Sequence, residues 1–256
     1  MIMLRRCLLA YVIIALLSLL ASYLHDLATE RPASGDSWTA ARRDSAGLLA
    51  DPASIKNSAV VAVLAAKTYG WRGHFAVHTW LVVKRRGETH YTRYDVIGWR
   101  SNDLIRRDYA IADGYWYGAR PRILVEHQGE SAEAMIPRLE AAVRSYPYPH
   151  TYHAWPGPNS NTFIAHIGRE VPALQLNMPA NAIGKDYRSL SDPIGRPPSG
   201  KGVQLSLLGL LGINIGEQEG IEFNLLGMDL GINVSPLQIR LPFIGNLPAD
   251  QHNPQR

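Results

Sequence analysis

The sequence predicts an α+β fold, in which an antiparallel sheet packs on helices behind an N-terminal membrane anchor and ahead of a C-terminal β-rich appendage. A charge-free apolar run over residues 7–24 predicts the anchor. Between residues 59 and 171, runs rich in β-branched residues are followed by stretches with apolar residues at helical spacing. Residues 203–244 are apolar, rich in glycine and alternate in polarity, which is typical of strands joined by tight turns.

With 256 residues, 46% of them apolar, the chain is long enough for one core and a small accessory unit. These observations divide it into five segments. They are a signal anchor (1–26), a linker with one short helix (27–58), an α+β domain (59–190), a glycine-containing β-rich accessory unit (191–246) and a tail (247–256).

The first segment predicts an anchor that remains uncleaved. Arg5 and Arg6 precede the apolar run, and no clean small-residue cleavage site comes before His25, so we favour a signal anchor over a cleaved signal peptide. The positive-inside bias keeps the two arginines in the cytoplasm and exports everything after residue 26. The prediction is a single-pass protein of the bacterial inner membrane, held by residues 7–24, with its C-terminal domain on the periplasmic side.

Composition excludes several classes of function. The net charge is only +4, and no basic stripe interleaved with aromatics is present, so we expect no nucleic-acid partner. The single cysteine, Cys7, lies inside the apolar run, which excludes a disulfide or a catalytic cysteine in the exported part. His74 and His78 have a helical metal-ligand spacing but fall on a loop and a strand, and no acidic partner is nearby in sequence. We predict neither a metal nor a cofactor.

The elements of the α+β domain follow from periodicity. Residues 58–69 predict a buried strand, and residues 74–84 and 89–97 predict a hairpin around Arg86-Gly87. A long loop over 100–122, a third strand over 123–127 and a helix over 131–145 come next. Pro137 suits a helix interior poorly, so that helix is alternatively expected to begin there.

Hairpin geometry brings together a histidine and a carboxylate. If the turn centres on Arg86-Gly87, His78 lies opposite Asp95 and Trp80 lies opposite Arg93. An imidazole oriented by a carboxylate is one half of a nucleophilic site, with His78 as base. His90 falls on the other face and becomes an alternative only if a bulge shifts the register.

The nucleophile candidate lies in Trp155-Pro-Gly-Pro-Asn-Ser-Asn-Thr-Phe163. A proline- and glycine-rich turn leads Asn159-Ser160 into a predicted helix start, where backbone N–H groups and the helix dipole favour a nucleophile or an anion. We assign Ser160 as nucleophile and expect the N–H groups of Ser160 and Asn161 to hold an oxyanion. Simple helix capping by Asn159 or Ser160 is the structural alternative. His150 and His153, just before the motif, are alternative bases.

A histidine-bearing strand followed later by a nucleophile at a helix start resembles the circularly permuted papain-like superfamily. That group includes lecithin retinol acyltransferase-like proteins and relatives of NlpC-type peptidases. The resemblance covers roughly residues 59–171 and implies roles for His78, Ser160 and either Asp95 or His90. Ser160 stands where those proteins have cysteine, and a serine hydroxyl needs a well-placed base to lose its proton.

The exported part more closely resembles the bacterial DUF3750 family, a domain of unknown function. The resemblance is carried by His78-Thr-Trp80, Tyr94-Asp-Val-Ile-Gly-Trp99, Pro156-Gly-Pro-Asn-Ser-Asn-Thr-Phe163 and Ala182-Ile-Gly-Lys-Asp-Tyr187. It implies no activity.

Two hypotheses for function follow. The first is an envelope hydrolase or acyltransferase acting on an amide or ester, with Ser160, His78 and Asp95 as catalytic residues. The second is a non-catalytic envelope protein that binds a peptide, glycan or lipid in the same cleft. In both, Trp80, Tyr152 and Trp155 are the predicted contacts, since loop aromatics often line binding sites.

Overall fold

The computed structural model describes residues 2–28, 38–99 and 103–249. Within them lie the helices α1 (Ile2–Ala28), α2 (Glu130–Arg144) and α3 (Ser160–Glu170). A five-stranded antiparallel sheet, ordered β4-β3-β2-β1-β5, consists of β1 (Val60–Lys67), β2 (Val77–Lys84), β3 (Thr92–Val96), β4 (Ile105–Arg107) and β5 (Arg122–Gln128). A seven-stranded antiparallel meander consists of β6 (Ile194–Gly195), β7 (Gly202–Leu207), β8 (Leu211–Gly216), β9 (Gly220–Leu225), β10 (Met228–Val234), β11 (Leu237–Leu241) and β12 (Gly245–Leu247). Mixed helix and sheet content and an N-terminal apolar helix confirm the predicted α+β class.

The elements of the α+β domain agree closely with the periodicity of the sequence. β1, the β2–β3 hairpin, β5, α2 and α3 each lie where a strand or helix is predicted. One strand, β4, lies inside the predicted loop over 100–122 and forms the sheet edge. The alternative start of α2 at Pro137 is wrong, because the helix begins at Glu130 and continues through the proline. Burial of its apolar face offsets the hydrogen bond that the proline cannot make.

The five-stranded sheet is covered on both faces. α2 and α3 pack on the face that carries Val61, Leu81 and Val83. The opposite face carries Leu64 and Trp80. It is covered by residues 38–50 and 109–119 rather than by a helix.

Residues 38–58, the second part of the predicted linker, are tied to this covering layer. The carboxylate of Asp113 accepts hydrogen bonds from the Ser45 hydroxyl (2.7 Å) and the Leu48 backbone N–H (2.7 Å). The short helix predicted for the linker does not occur in residues 38–58, and residues 29–37 lie outside the described part of the chain.

The predicted register of the β2–β3 hairpin is wrong by two residues. Leu81 pairs with Tyr94 and Val83 with Thr92, so paired numbers sum to 175 rather than 173. The error arises because a connection of seven residues, 85–91, joins the strands in place of a two-residue turn. An even shift preserves the face on which each side chain lies, so His78 and Asp95 still share one.

The inward face of the seven-stranded sheet is polar and encloses a buried ionic cluster. Lys185 Nζ lies 2.8 Å from Asp186 Oδ2, 2.5 Å from Glu222 Oε1 and 3.0 Å from Asp229 Oδ2. Arg240 contacts the second oxygen of Glu222 at 3.0 Å. The three carboxylates are close enough together to ligate a metal, but the Lys185 ammonium already lies among them.

α1 confirms the predicted N-terminal apolar helix. Its segment Arg5–Ala28 is long and apolar enough to cross a membrane. One stripe of the helix, containing Ala15, Ser18 and Ser22, is buried against the rest of the chain. At its C-terminal end Asp26 forms an ion pair with Lys67 and a hydrogen bond with the His74 ring (2.7 Å).

Candidate active site

A cavity of about 630 Å³ opens where β2 and β3 diverge and α3 begins. The two strands pair only over Leu81–Val83 and Thr92–Tyr94, and the cavity lies beyond the last paired residues. Its polar lining comes from Thr68, Arg72, His78 and the start of α3. Its aromatic lining consists of Tyr69, Trp71, Phe75, Trp99, Trp116, Tyr117, Tyr152 and Trp155. The cavity thus combines a few polar side chains with an extensive apolar wall, as ligand sites commonly do.

The start of α3 leaves the Ser160 hydroxyl free. Asn159 is the N-cap, and its Oδ1 accepts the N–H groups of Asn161 (2.9 Å) and Thr162 (3.2 Å). The Thr162 hydroxyl in turn accepts the N–H of Asn159 (3.0 Å). Ser160, the first helical residue, therefore has no capping role, and its hydroxyl makes no hydrogen bond within the described part of the chain.

Gly184 leaves the space in which the N-cap residue Asn159 is buried. Gly184 has φ +95°, and a Cβ at that position would lie 2.3 Å from Asn159 Nδ2. The same amide donates to the carbonyls of Ala154 (3.2 Å) and Ile183 (3.1 Å). The motif around residue 159 and the segment around residue 184 therefore form one rigid support for Ser160.

His78 is held by a buried carboxylate. Its Nε2 lies 2.9 Å from Asp95 Oδ1, and Asp95 is completely buried. Arg93 donates to both oxygens of Asp95, from Nε at 2.7 Å and from Nη2 at 2.9 Å. Arg93 is itself buried and lies over the ring of Trp80, with 4.0 Å from its Cζ to the ring centroid. The imidazole therefore has a fixed orientation, with Nε2 bonded and Nδ1 remaining for another partner.

The surroundings of His78 and Asp95 lower the pKa of both groups, which leaves the imidazole uncharged and the carboxylate anionic. Burial lowers the pKa of His78 and outweighs the hydrogen bond and charge of Asp95, which act in the other direction. Burial alone would raise the pKa of Asp95, but the charge of Arg93 and the hydrogen bonds from His78 and Arg93 hold that pKa below its usual value. At neutral pH the histidine is neutral and the carboxylate is ionised, which are the states that a base and its orienting partner require.

Trp116 and Arg93 contact His78 and Asp95, a role that the sequence did not predict for either residue. The ring of Trp116 stacks on His78 with centroids 3.9 Å apart and an angle of 8° between the planes. Trp116 comes from a loop, so nothing in its local pattern points to a histidine 38 positions earlier. Arg93 was detectable, because residues 93 and 95 share one face of a strand.

The backbone at the helix start offers fewer free donors than predicted. The N–H of Asn161 is bonded to the cap, and the Asn161 side chain donates to the carbonyls of Val77 (2.9 Å) and Ile183 (2.8 Å). Its Oδ1 accepts the Thr79 hydroxyl at 2.9 Å. Only the N–H of Ser160 lacks a hydrogen bond at this point of the described chain, so Asn161 and Asn159 line the cavity as supports.

The remaining predicted residues divide into two groups. Tyr152 and Trp155 line the cavity, and the Trp155 N–H donates to the carbonyl of Leu226 (2.9 Å). Trp80 is fully buried behind His78, with its N–H bonded to the Ala112 carbonyl (2.8 Å), and does not line the cavity. The alternative bases His90, His150 and His153 are exposed and lie outside the cavity lining.

Comparison with known proteins identifies a family. No curated protein and no solved structure matches the chain. A family model described as "Protein of unknown function (DUF3750)" matches residues 58–187, half of the chain. The match includes His78, Asp95 and Ser160 and ends before the seven-stranded sheet. The chain belongs to the DUF3750 family.

Proposed function

We propose that the cavity is the active site of a serine-dependent hydrolase or acyltransferase that acts on an amide or ester. Ser160 is the nucleophile, His78 the general base and Asp95 the residue that orients it. One observation carries the proposal: a serine hydroxyl without a hydrogen bond lines the same cavity as a neutral histidine anchored by a buried carboxylate. Such groups are the parts of a nucleophilic site.

The chemical step follows from the bonding of His78. With its Nε2–H donated to Asp95, Nδ1 is unprotonated and accepts the Ser160 proton while Oγ bonds to the carbonyl carbon of the substrate. The carbonyl oxygen becomes an oxyanion, toward which the Ser160 N–H donates. The protonated His78 then gives its proton to the departing alcohol or amine, leaving an acyl-serine. Water or a second alcohol or amine takes up the acyl group in the reverse sequence.

The order of elements supports a permuted papain-like arrangement. The strand that bears the histidine, β2, precedes the helix that begins with the nucleophile, α3, and α3 packs on β2. The carboxylate comes from the neighbouring strand β3. Burial lowers the pKa of His78, so the imidazole stays neutral and able to accept a proton over the physiological pH range.

We place this chemistry at the bacterial envelope. The helix α1 is the proposed single-pass anchor in the inner membrane, with the domain that holds the cavity on the periplasmic side. The aromatic wall of the cavity suits an acylated peptide, glycan or lipid, whose apolar part would contact Trp99, Trp116 and Tyr152.

Turnover of p-nitrophenyl acetate and p-nitrophenyl butyrate by the full-length protein in detergent tests the proposal. We expect Ser160→Ala to lose turnover by at least about 10³-fold, as loss of a nucleophile does in serine hydrolases. Ser131→Ala, an exposed serine on α2, should leave the rate unchanged. Ser160→Cys should retain hydrolysis, because the helix start and a neighbouring imidazole favour a thiolate. Equal rates for Ser160→Ala and wild type would refute the assignment.

A non-catalytic binding protein is the second candidate. The observation that favours it is the absence of a hydrogen bond between the Ser160 hydroxyl and His78, since a resting triad often has one. If neither ester is turned over by wild type, quenching of tryptophan fluorescence by envelope lipids or peptides would identify a binding cleft. Trp116→Leu should then weaken that binding.

A further inference from the structure

The seven-stranded sheet directs apolar side chains outward and polar side chains inward, the reverse of the usual pattern. On β7 to β11, every side chain that the alternation directs outward is Val, Leu, Ile, Phe or Met. Many are largely exposed, including Val203 (60%), Ile215 (52%), Phe223 (54%), Val234 (78%) and Leu237 (65%). In a sheet with one face in water, the outward face is ordinarily polar.

The apolar residues form one continuous surface. Phe223 pairs with Ile213 on one side and with Leu230 on the other. Farther along the sheet, Ile232 pairs with Ile239. A contiguous apolar patch across five strands exceeds what a soluble monomer normally exposes.

The orientation of the sheet is fixed by its inward face. Glu222, Asp229 and Arg240 alternate with these apolar residues and point into the cluster around Lys185. Turning the sheet over would break those ion pairs, and removing one partner of a buried ion pair is costly. The apolar surface is therefore part of the folded structure and is not buried in the protein core.

The helix α1 lies against the same sheet. Its Tyr11 hydroxyl donates a hydrogen bond to the carbonyl of Met228, at the start of β10, and α1 also contacts β11. The helix residues that face away from the protein are apolar, among them Leu9, Leu16 and Leu20. Anchor and sheet thus present apolar side chains to the surroundings side by side.

Helix geometry indicates the depth of this contact. Asp26, paired with Lys67 and His74, marks a polar end of α1. Tyr11 lies 15 residues earlier, and at 1.5 Å per residue that is about 22 Å along the helix axis. Since the hydrocarbon core is about 30 Å thick, a membrane crossed by α1 with Asp26 at its surface would surround the Met228 end of β10.

We propose that the outward face of the seven-stranded sheet lies in contact with the hydrocarbon of the bilayer that α1 crosses. The occupant is lipid rather than a second copy of the chain, because the sheet contacts a membrane-spanning helix and directs no charged side chain outward from β7 to β11. The inference rests on the anchor role of α1 and is independent of the chemistry at Ser160.

Spin labelling of the full-length protein tests the proposal. In a Cys7→Ser background, single cysteines replace Phe223 on β9 or Ile239 on β11 and carry a nitroxide label in vesicles of phosphatidylethanolamine and phosphatidylglycerol. Leu16→Cys on the outer side of α1 is the positive control. Ala141→Cys, on the exposed side of α2, is the control in water. Accessibility to oxygen and to a water-soluble nickel chelate is measured for each label.

Labels at residues 223 and 239 should match Leu16→Cys, with high accessibility to oxygen and little to the nickel chelate. If either label instead matches Ala141→Cys, the sheet faces water and the proposal is overturned. Low accessibility to both reagents with dipolar broadening between labels would show a second copy on the face, which also overturns it. If the label at Leu16→Cys itself reports water, the anchor role of α1 fails and the sheet proposal fails with it.

Discussion

Substitution of Asp95 by Asn should destabilise the fold far more than the loss of an ordinary ion pair. Asp95 is completely buried and accepts two hydrogen bonds from Arg93, which is 1% exposed. The Asp95→Asn variant leaves that guanidinium buried without a counter-charge, and breaking such a pair costs about 3–5 kcal/mol. It also leaves His78 without its anionic partner.

The pH dependence of the Asp95 contribution to stability determines the pH at which unfolding is measured. The folded-state pKa of Asp95 is held below its usual value, mainly by the charge of Arg93 acting against burial. Its stabilising contribution is therefore complete above the unfolded-state pKa of about 4 and disappears only as the pH falls through the lower folded value. Measurements at pH 7 thus capture the whole contribution of the ionised carboxylate.

Equilibrium unfolding of the full-length protein in detergent, followed by tryptophan fluorescence, provides the assay, because Trp80 and Trp116 lie beside the pair. Glu140→Gln is the matched control. It removes a partly exposed ion pair with Arg85 (2.8 Å) and should cost about 0–1 kcal/mol. If Asp95→Asn destabilises the protein no more than Glu140→Gln, the buried triple of His78, Asp95 and Arg93 does not exist as described.

Two further predictions concern the same region. His78→Gln should remove an acid-sensitive component of the free energy of unfolding. Burial lowers the pKa of His78 in the folded state, so below about pH 6.5 the imidazole takes up a proton more readily in the unfolded chain. Wild type should therefore lose up to about 1.4 kcal/mol of stability per pH unit in that range. A pH series of unfolding curves that is parallel for both proteins would contradict this. Gly184→Ala should destabilise strongly, since its Cβ meets the Asn159 amide, whereas Gly87→Ala, at a similar φ with nothing within 4 Å, carries backbone strain alone. Equal melting temperatures for the two variants would show that the cap is not sterically constrained.

The sequence allowed the secondary structure to be predicted better than the packing. Periodicity located β1, β2, β5 and α3 because these elements bury one face or both. It missed β4, a three-residue edge strand too short to show alternation. It also predicted a β-rich C-terminal unit without indicating which face is buried, because the inward charges have partners, such as Lys185, that lie elsewhere in the sequence.

The candidate site illustrates the same limit. The hairpin placed His78 and Asp95 on one face, and an even error in register did not alter this. The stacking of Trp116 on His78 and the release of Ser160 from capping by Asn159 depend on loop conformations that no local pattern encodes. Local sequence patterns therefore identified the chemical groups of the site, whereas long-range packing determines their contacts and hydrogen bonds.

Mass spectrometry of the full-length protein after reaction with a fluorophosphonate tests the central claim most directly. The probe phosphonylates a serine only when a neighbouring base removes its proton, so we expect one adduct, on Ser160, in wild type. The adduct should be absent from Ser160→Ala and strongly slowed in His78→Gln. No adduct on wild type, or an adduct that survives Ser160→Ala, would contradict the assignment of Ser160 as an activated nucleophile.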